Sequence, residues 1–298
     1  MKNVSYALGV KCARLALGAF GRGLFRFPKS IRIESTNACN GRCSMCPRQR
    51  MKRQVGTMDF DLFKRIVDQI PRGKRTIHLH NFGEPLLDGH IFEKIEYCKS
   101  KGFSTRMFSN LNLLSEHMAR DLIRSGLDDL KVSIDAANRK TYESIRVGLS
   151  YDSLVKNIET LVELRKTSGS ARPKISVLAI NMQSNSSEID EFEKFWRGKV
   201  DRVIVTKLHN WAGSGERAGL SHGAQLPCLR LWQTVTVLWN GDVVPCCMDY
   251  DAQAVLGNVN THSLRDILSS PALRKLKSMH VTGRIDEIPL CRTCELRR

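Results

Sequence analysis

Between Ile31 and Lys207 the chain alternates short apolar runs with longer amphipathic ones, and this alternation restricts its fold more than any other feature. Ile31–Ser35, Arg75–His80, Ser104–Ser109, Leu130–Asp135, Lys174–Ile180 and Arg202–Lys207 read as strands. Helices are predicted near Asp59–Gln69, His90–Ser100, Ser115–Ser125, Asp152–Lys166 and Ser187–Trp196. Repeated strand–helix alternation implies an α/β fold with a parallel sheet. The strands also have two different faces. Ile77 and Leu79 oppose His78 and His80; Leu130, Val132 and Ile134 oppose Lys131, Ser133 and Asp135; Ile31 and Ile33 oppose Arg32 and Glu34. A flat sheet covered by helices on both sides is apolar on both faces. One polar face predicts a sheet curled around a wet interior, a partial (β/α)6 TIM-like barrel whose cavity is lined by His78, His80, Lys131 and the Arg32/Glu34 pair.

Periodicity fades after the sixth strand, and 211–226 is the predicted linker. Beyond it, Thr234–Trp239 and Val243–Cys246 flank Asn240-Gly241, a tight-hairpin signature, with helices predicted near Ser263–Leu268 and Pro271–Met279. The expected organisation is a basic segment 1–30, a barrel 31–210, the linker, and a small α+β domain 227–298. A chain of 298 residues, 42% hydrophobic and 26% charged, is long enough for one large core and one small one.

The net charge of +17 points to acidic partners: nucleic acid, anionic lipid or a phosphorylated substrate. From Met1 to Ile33 there is no Asp or Glu, but Lys2, Lys11, Arg14, Arg22, Arg26, Lys29 and Arg32 are present. As a helix, Lys11, Arg14, Gly18 and Arg22 form one stripe beside an apolar face of Val10, Ala13, Leu17, Phe20 and Leu24. Such a helix either packs on the barrel or makes a peripheral membrane contact with anionic lipid. No stretch approaches the ~20 apolar residues of a membrane span. Ten cysteines without an export signal imply reduced thiols and a cytoplasmic location, with membrane association through the N-terminal segment as its variant.

Seven of the ten cysteines fall into two sets. Cys39, Cys43 and Cys46 form a C-x3-C-x2-C run after the first strand; Cys228, Cys246, Cys291 and Cys294 gather in the last quarter. Four thiolates complete the coordination of a 4Fe–4S cluster, whereas three leave one iron open. An open position marks a reactive site, and a filled one a structural or redox site. Zinc or structural thiols stand as alternatives for either set. Cys247 adjoins Cys246 and is the alternative to it, while Cys12 and Cys98 read as packing residues.

The trio in its setting resembles the radical S-adenosylmethionine (radical SAM) enzymes. That resemblance implies that Cys39, Cys43 and Cys46 hold a 4Fe–4S cluster whose open iron is chelated by S-adenosylmethionine. One electron then cleaves the cofactor to a 5′-deoxyadenosyl radical, which abstracts a substrate hydrogen. The cofactor contacts implied are Met45 beside adenine, Gly83 and Glu84 at the amino group, Ser109 and Asn110 at the ribose, and Ser133 and Asp135 at ribose or carboxylate. Phe82 stands where the family more often has glycine. Lys131 and His80 are the residues expected to reach the substrate.

The second set, C-x12-G-x4-C with a distal C-x2-C, resembles the SPASM extension or its shortened Twitch form. This resemblance makes Cys228, Cys246, Cys291 and Cys294 the ligands of an auxiliary 4Fe–4S cluster. With the chain ending four residues past Cys294, one auxiliary cluster is expected, hence two clusters in all. A fully ligated cluster suits electron transfer. The expected reaction is oxidation or dehydrogenation of a small carbohydrate-like or lipid-linked substrate, with a flavodoxin- or ferredoxin-type reductant. Peptide or RNA modification is the alternative, although nucleic acid ranks lower because no RNA-binding module is visible. A non-catalytic Fe–S electron carrier or zinc-binding scaffold is the reading from another class.

Overall fold

The computed structural model describes residues 27–213 and 227–297. The helix expected within segment 1–30 and most of the linker 211–226 fall outside the described residues.

Strand β1 (Ser30–Ile33) leads into the cysteine loop, which contains β2 (Arg42–Cys43) and a 3-10 turn at Pro47–Arg50. Helix α1 (Phe60–Asp68) begins where the Asp59 carboxylate accepts from the amides of Asp61 and Leu62, satisfying donors that the helix itself cannot. There follow β3 (Thr76–His78), α2 (Ile91–Ser100), β4 (Ser104–Ser109), α3 (Glu116–Arg124), β5 (Asp129–Ser133) and α4 (Arg139–Ile145). Next come β6 (Arg146–Val147), α5 (Tyr151–Thr167), β7 (Lys174–Asn181), α6 (Ile189–Trp196) and β8 (Arg202–Lys207). Beyond residue 226 lie α7 (Arg230–Gln233), β9 (Thr234–Val237), β10 (Asp242–Val244), β11 (Gly257–Asn258), α8 (Leu264–Leu268) and α9 (Pro271–Thr282).

Among the described residues one nine-stranded sheet runs β11-β10-β9-β1-β3-β4-β5-β7-β8, with parallel pairing from β1 to β8. The hairpin β9–β10 does not stand apart from the barrel. β9 pairs in parallel with β1, matching Arg32 with Thr236, and so extends the barrel sheet at its first strand. One face carries the core: Ile31, Ile33, Ile77, Leu79, Met107, Leu130, Val132 and Ile175 pack with Phe63, Ile95, Leu122 and Ile158 of the helices. Register puts Arg32, His78, Arg106 and Asp129 in one row across the opposite face, and Phe108, Lys131, Ser176 and Arg202 in the next.

Several short elements were not expected from the sequence: α4, the strands β2 and β6, α7 and β11. α4 has seven residues and buries only Tyr142 and Ile145, too little for a periodic signal. The ribbon β2–β6 pairs Cys43 with Arg146 across 103 positions, and nothing local encodes it.

Candidate active site and auxiliary cysteine site

The three-cysteine loop lies at the carboxyl ends of the parallel strands. It is tied back through Asn37, whose side chain donates to Gln54 O at 2.9 Å and accepts from Gly56 N at 2.8 Å, while its carbonyl receives Arg48 Nε at 2.7 Å. Ribbon β2–β6 fixes Cys43, and Cys46 donates its amide to Cys43 O at 3.1 Å before the 3-10 turn. Burial pushes the Cys46 thiol up to about 11, and burial also raises Cys39, with Glu84 and Cys43 adding to the rise. Thiols so placed ionise only with a cationic ligand at hand. Three thiolates on one short loop can each bind a different iron of an iron–sulfur cluster and leave its fourth iron open.

Glu84 stands beside this loop and is 1% exposed. Oε1 accepts from Ser109 Oγ at 2.6 Å and Leu86 N at 3.1 Å, and Oε2 from Asn110 N at 2.7 Å. A carboxylate offers about four lone-pair positions, so one on Oε2 is left for a further donor. Burial raises the Glu84 pKa, opposed by the hydrogen bonds from Ser109, Asn110 and Leu86. Gly83, at φ +92°, lets this segment lie against the cysteine loop; a Cβ there would meet Ala38 O at 2.7 Å and Thr36 O closer still. Glu84 N completes the contact by donating to Ala38 O at 2.7 Å. Asn110 reaches back to the loop through Asn40 Oδ1 at 2.8 Å.

Asp135 is buried and held in the left-handed region at φ +68°. Oδ1 accepts from Ile180 N at 2.7 Å and Oδ2 is ion-paired with Arg146, so this carboxylate is already engaged by its own chain. Arg146 also donates to Ile134 O at 3.2 Å and to Cys43 Sγ at 3.6 Å. Sequence reasoning missed this arginine, which carries no motif and reaches the site only through β6. Ser133 is half-buried at the end of β5. Met45 lines a cleft of about 290 Å³ with Cys46, Gln49, Arg50, Leu208, His209 and Trp211, and its carbonyl accepts from Trp211 Nε1 at 2.8 Å. Phe82 wedges between Trp211 and Tyr250, with ring centroids at 5.6 and 6.0 Å.

His80 and Lys131 lie on the polar sheet face. His80 is 5% exposed; burial first, then Arg32, holds its pKa well below the usual histidine value. Its Nε2 is 2.7 Å from Arg32 Nη1. Lys131 stands 5.9 Å from the Phe108 ring centroid, and burial lowers its pKa. Arg32 and Glu34, expected together on the cavity wall, have different partners. Glu34 is taken by Arg53, which donates to both its oxygens at 2.9 and 3.0 Å, and by the amide of Trp239. Sharing a strand face did not outweigh the fork geometry that Arg53 brings from the loop.

The second cysteine set is brought together. Cys228, Cys246, Cys291 and Cys294 line one cavity with the apolar Leu231, Met248, Leu276, Ile288 and Leu290, and with Arg230 and His280. Cys247 does not line it; its sulfur accepts from Arg230 Nη1 at 3.6 Å. Four sulfurs around one cavity suit a fully ligated cluster. Asn210 docks the distal cysteine pair onto the barrel's end, donating to Thr293 O at 2.6 Å and accepting from Glu295 N at 3.3 Å.

Comparison with known proteins agrees with this geometry. The radical SAM superfamily model matches residues 33–172, and the SPASM iron–sulfur cluster-binding domain model matches residues 228–295. The chain is 25% identical over 256 residues to a tungsten-containing aldehyde ferredoxin oxidoreductase cofactor-modifying protein of Pyrococcus furiosus, covering 73% of this chain and 70% of that protein. It is 31% identical over 159 residues to a probable GTP 3′,8-cyclase of Methanococcus maripaludis, covering 53% and 52%. It is 27% identical over 189 residues to the mycofactocin maturase MftC of Mycolicibacterium smegmatis, covering 63% and 46%. The matches thus span about half the length of the latter two. Among solved structures, BtrN in complex with AdoMet and 2-DOIA superposes with a TM-score of 0.63 at 19% identity, covering 91% of this chain and 94% of that one. Streptococcus suis SuiB bound to precursor peptide SuiA gives 0.71 at 16%, covering 88% and 69%. At such identities these two structures speak to the fold.

Proposed function

The chain belongs to the radical SAM superfamily and carries a C-terminal SPASM domain, and from that premise we propose that it oxidises a small molecule by hydrogen abstraction. Its cofactors are S-adenosylmethionine with a 4Fe–4S cluster in the barrel, and auxiliary iron–sulfur chemistry in the SPASM domain. When bound, these groups supply one-electron cleavage of the sulfonium, the 5′-deoxyadenosyl radical, and an acceptor for the second electron. The observation that carries the reading is the pairing, along one sheet, of a three-cysteine loop with a cavity ringed by four cysteines.

The chain's own residues have these roles. Cys39, Cys43 and Cys46 hold the reactive cluster. Glu84 receives the cofactor's amino group at the free position on Oε2, with Ser109 and Asn110 fixing that carboxylate and presenting polar atoms toward the ribose. Gly83 gives the backbone clearance for this approach, and Met45 offers an apolar wall. Ser133, at the end of β5, offers a hydroxyl to the cofactor, while Asp135 acts through Arg146 on the cysteine loop. Cys228, Cys246, Cys291 and Cys294 hold the auxiliary cluster. His80, kept neutral, and Lys131 face the substrate. A flavodoxin- or ferredoxin-type protein supplies the electron.

Among the described residues no helix is long and apolar enough to cross a membrane. A cytoplasmic enzyme with a peripheral lipid contact through its basic first thirty residues is part of the proposal, and liposome flotation tests it. The central test is anaerobic reconstitution, then dithionite and S-adenosylmethionine. About eight irons per chain and release of 5′-deoxyadenosine are expected; reconstituted protein that releases none would falsify the radical assignment.

A further inference from the structure

At the amino ends of the parallel strands, opposite the cysteine loop, a cleft of about 630 Å³ is lined by Lys29, Lys74, Arg75 and Arg265 together with Phe27 and Gln69. Three parts of the chain build it. Lys29 precedes β1, and Lys74 and Arg75 precede β3; the amide of Thr76 donates to Lys29 O at 3.0 Å and sets them side by side. Arg265 comes from α8, which docks here because Leu264 N donates to Gln69 Oε1 at 2.6 Å. Arg75 is fixed in place. Its Nη1 donates to Pro71 O at 2.7 Å and Arg72 O at 2.8 Å, and its guanidinium lies 5.6 Å from the Phe27 ring centroid. Its Nε is buried and makes no hydrogen bond among the described residues. The lining contains no Asp or Glu. Among the described residues no ion pair includes Lys29, Lys74 or Arg75, and Asp68, at the end of α1, is taken by Lys101 and Tyr97.

Like charges facing one cleft repel, and an anion between them offsets that repulsion. A phosphate group offers several oxygens at once to a guanidinium fork and to ammonium groups. The cysteine loop and Glu84 stand at the other end of the strands, so this anion is neither their cofactor nor the group it attacks. The segment joined to the cleft at Phe27, residues 1–26, has no Asp or Glu but carries Lys2, Lys11, Arg14, Arg22 and Arg26 among apolar residues such as Leu17, Phe20 and Leu24. Basic residues mixed with apolar ones suit an anionic bilayer, which takes up both, better than a nucleic acid, which rewards the charge alone. Resting on the peripheral lipid contact proposed above, we propose that this cleft seats the phosphate headgroup of an anionic phospholipid. The amino end of the barrel then faces the bilayer, and the cysteine loop faces the aqueous side.

The test is flotation of the full-length reconstituted protein with phosphatidylcholine vesicles containing about one-third phosphatidylglycerol, at about 0.15 M salt. The parent should float with these vesicles and stay behind with pure phosphatidylcholine. Lys29→Gln/Lys74→Gln should partition about 25-fold more weakly, about fivefold for each cation near the surface. Lys140→Gln/Lys156→Gln removes the same charge from exposed positions toward the carboxyl ends of the strands and should float like the parent. Thermal melts of each variant separate lost binding from lost folding. A cleft variant that floats like the parent overturns the proposal, as does an equal loss in Lys140→Gln/Lys156→Gln, which would reduce the contact to net charge. Saturable calorimetric binding of inorganic phosphate, or retention of total tRNA, by a parent that does not float also overturns it, in favour of a free anion or a nucleic acid. Lys11→Gln/Arg14→Gln reads the N-terminal segment separately. Flotation lost there but kept in the cleft variant leaves the segment contact standing and removes the cleft; the reverse result supports the cleft and removes the segment.

Discussion

Glu84 accepts three donors inside the protein, and its remaining capacity makes it sensitive to chemical substitution. In Glu84→Gln an amide NH2 must face at least one of the donors Ser109, Leu86 or Asn110. Charge and acceptor geometry are lost with almost no change of volume. A hydrogen bond to a charged group contributes about 1.5–3 kcal/mol, so S-adenosylmethionine affinity should fall roughly 10- to 100-fold. Iron content should be retained. Equilibrium dialysis of cofactor beside an iron assay checks both halves, and an unchanged affinity would remove Glu84 from the site. Gly83→Ala should behave differently: its Cβ collides with backbone carbonyls, so both the melting temperature and cofactor binding should drop.

At the scale of elements, β2 and β6 couple the cysteine loop to the barrel wall through Arg146. Replacing Arg146 by Met leaves Asp135 buried without its partner, which costs on the order of 3–5 kcal/mol. Asp135→Asn in the same chain should recover part of that loss, and urea midpoints of the single and double variants measure it. The histidines of the β3 segment add a pH dependence. His78 is held down to about 3 by burial, then by Arg32, Arg106 and Lys131, whereas the unfolded chain titrates near its ordinary value. The unfolded state therefore binds more protons below about pH 6.5, and stability should decline from there as pH falls towards about 3. The slope is at most about 1.4 kcal/mol per pH unit for each such histidine. Urea midpoints between pH 7.5 and 5 should show it, and His78→Gln should flatten it; a flat parent profile would contradict the burial argument. Local patterns carried much of this level. The two-faced strands announced a polar interior, and Asn240-Gly241 sits in its hairpin with Gly241 at φ +91°. What was hidden depends on partners distant in sequence. Arg146 has meaning only once β6 lies beside Cys43, and Glu34 turns to Arg53 because a loop, not the strand, presents the better fork.

For the whole molecule, the pairing of β9 with β1 makes one sheet serve both cysteine sites. The motif spacing separated three cysteines from four but could not reveal that their supports are continuous, since parallel pairing across some two hundred residues leaves no local trace. Arg53 is where this continuity is concentrated. Its guanidinium holds Glu34 next to β1 and donates to Tyr250 O at 2.7 Å, while its amide and that of Lys52 donate to Asp251 Oδ1 at 3.2 and 2.6 Å. Damage here should therefore reach both clusters, unlike damage to a ligand. Cys228→Ser should lower iron from about eight to about four per chain and leave abortive 5′-deoxyadenosine formation, whereas Cys39→Ser should abolish that formation. Arg53→Met strands a buried carboxylate, at a cost of about 3–5 kcal/mol, and should depress iron incorporation at both sites together. Iron content and 5′-deoxyadenosine yield measured on the three variants distinguish these outcomes. An Arg53→Met protein that loses only auxiliary iron would mean that the two sites are supported independently, despite the shared sheet.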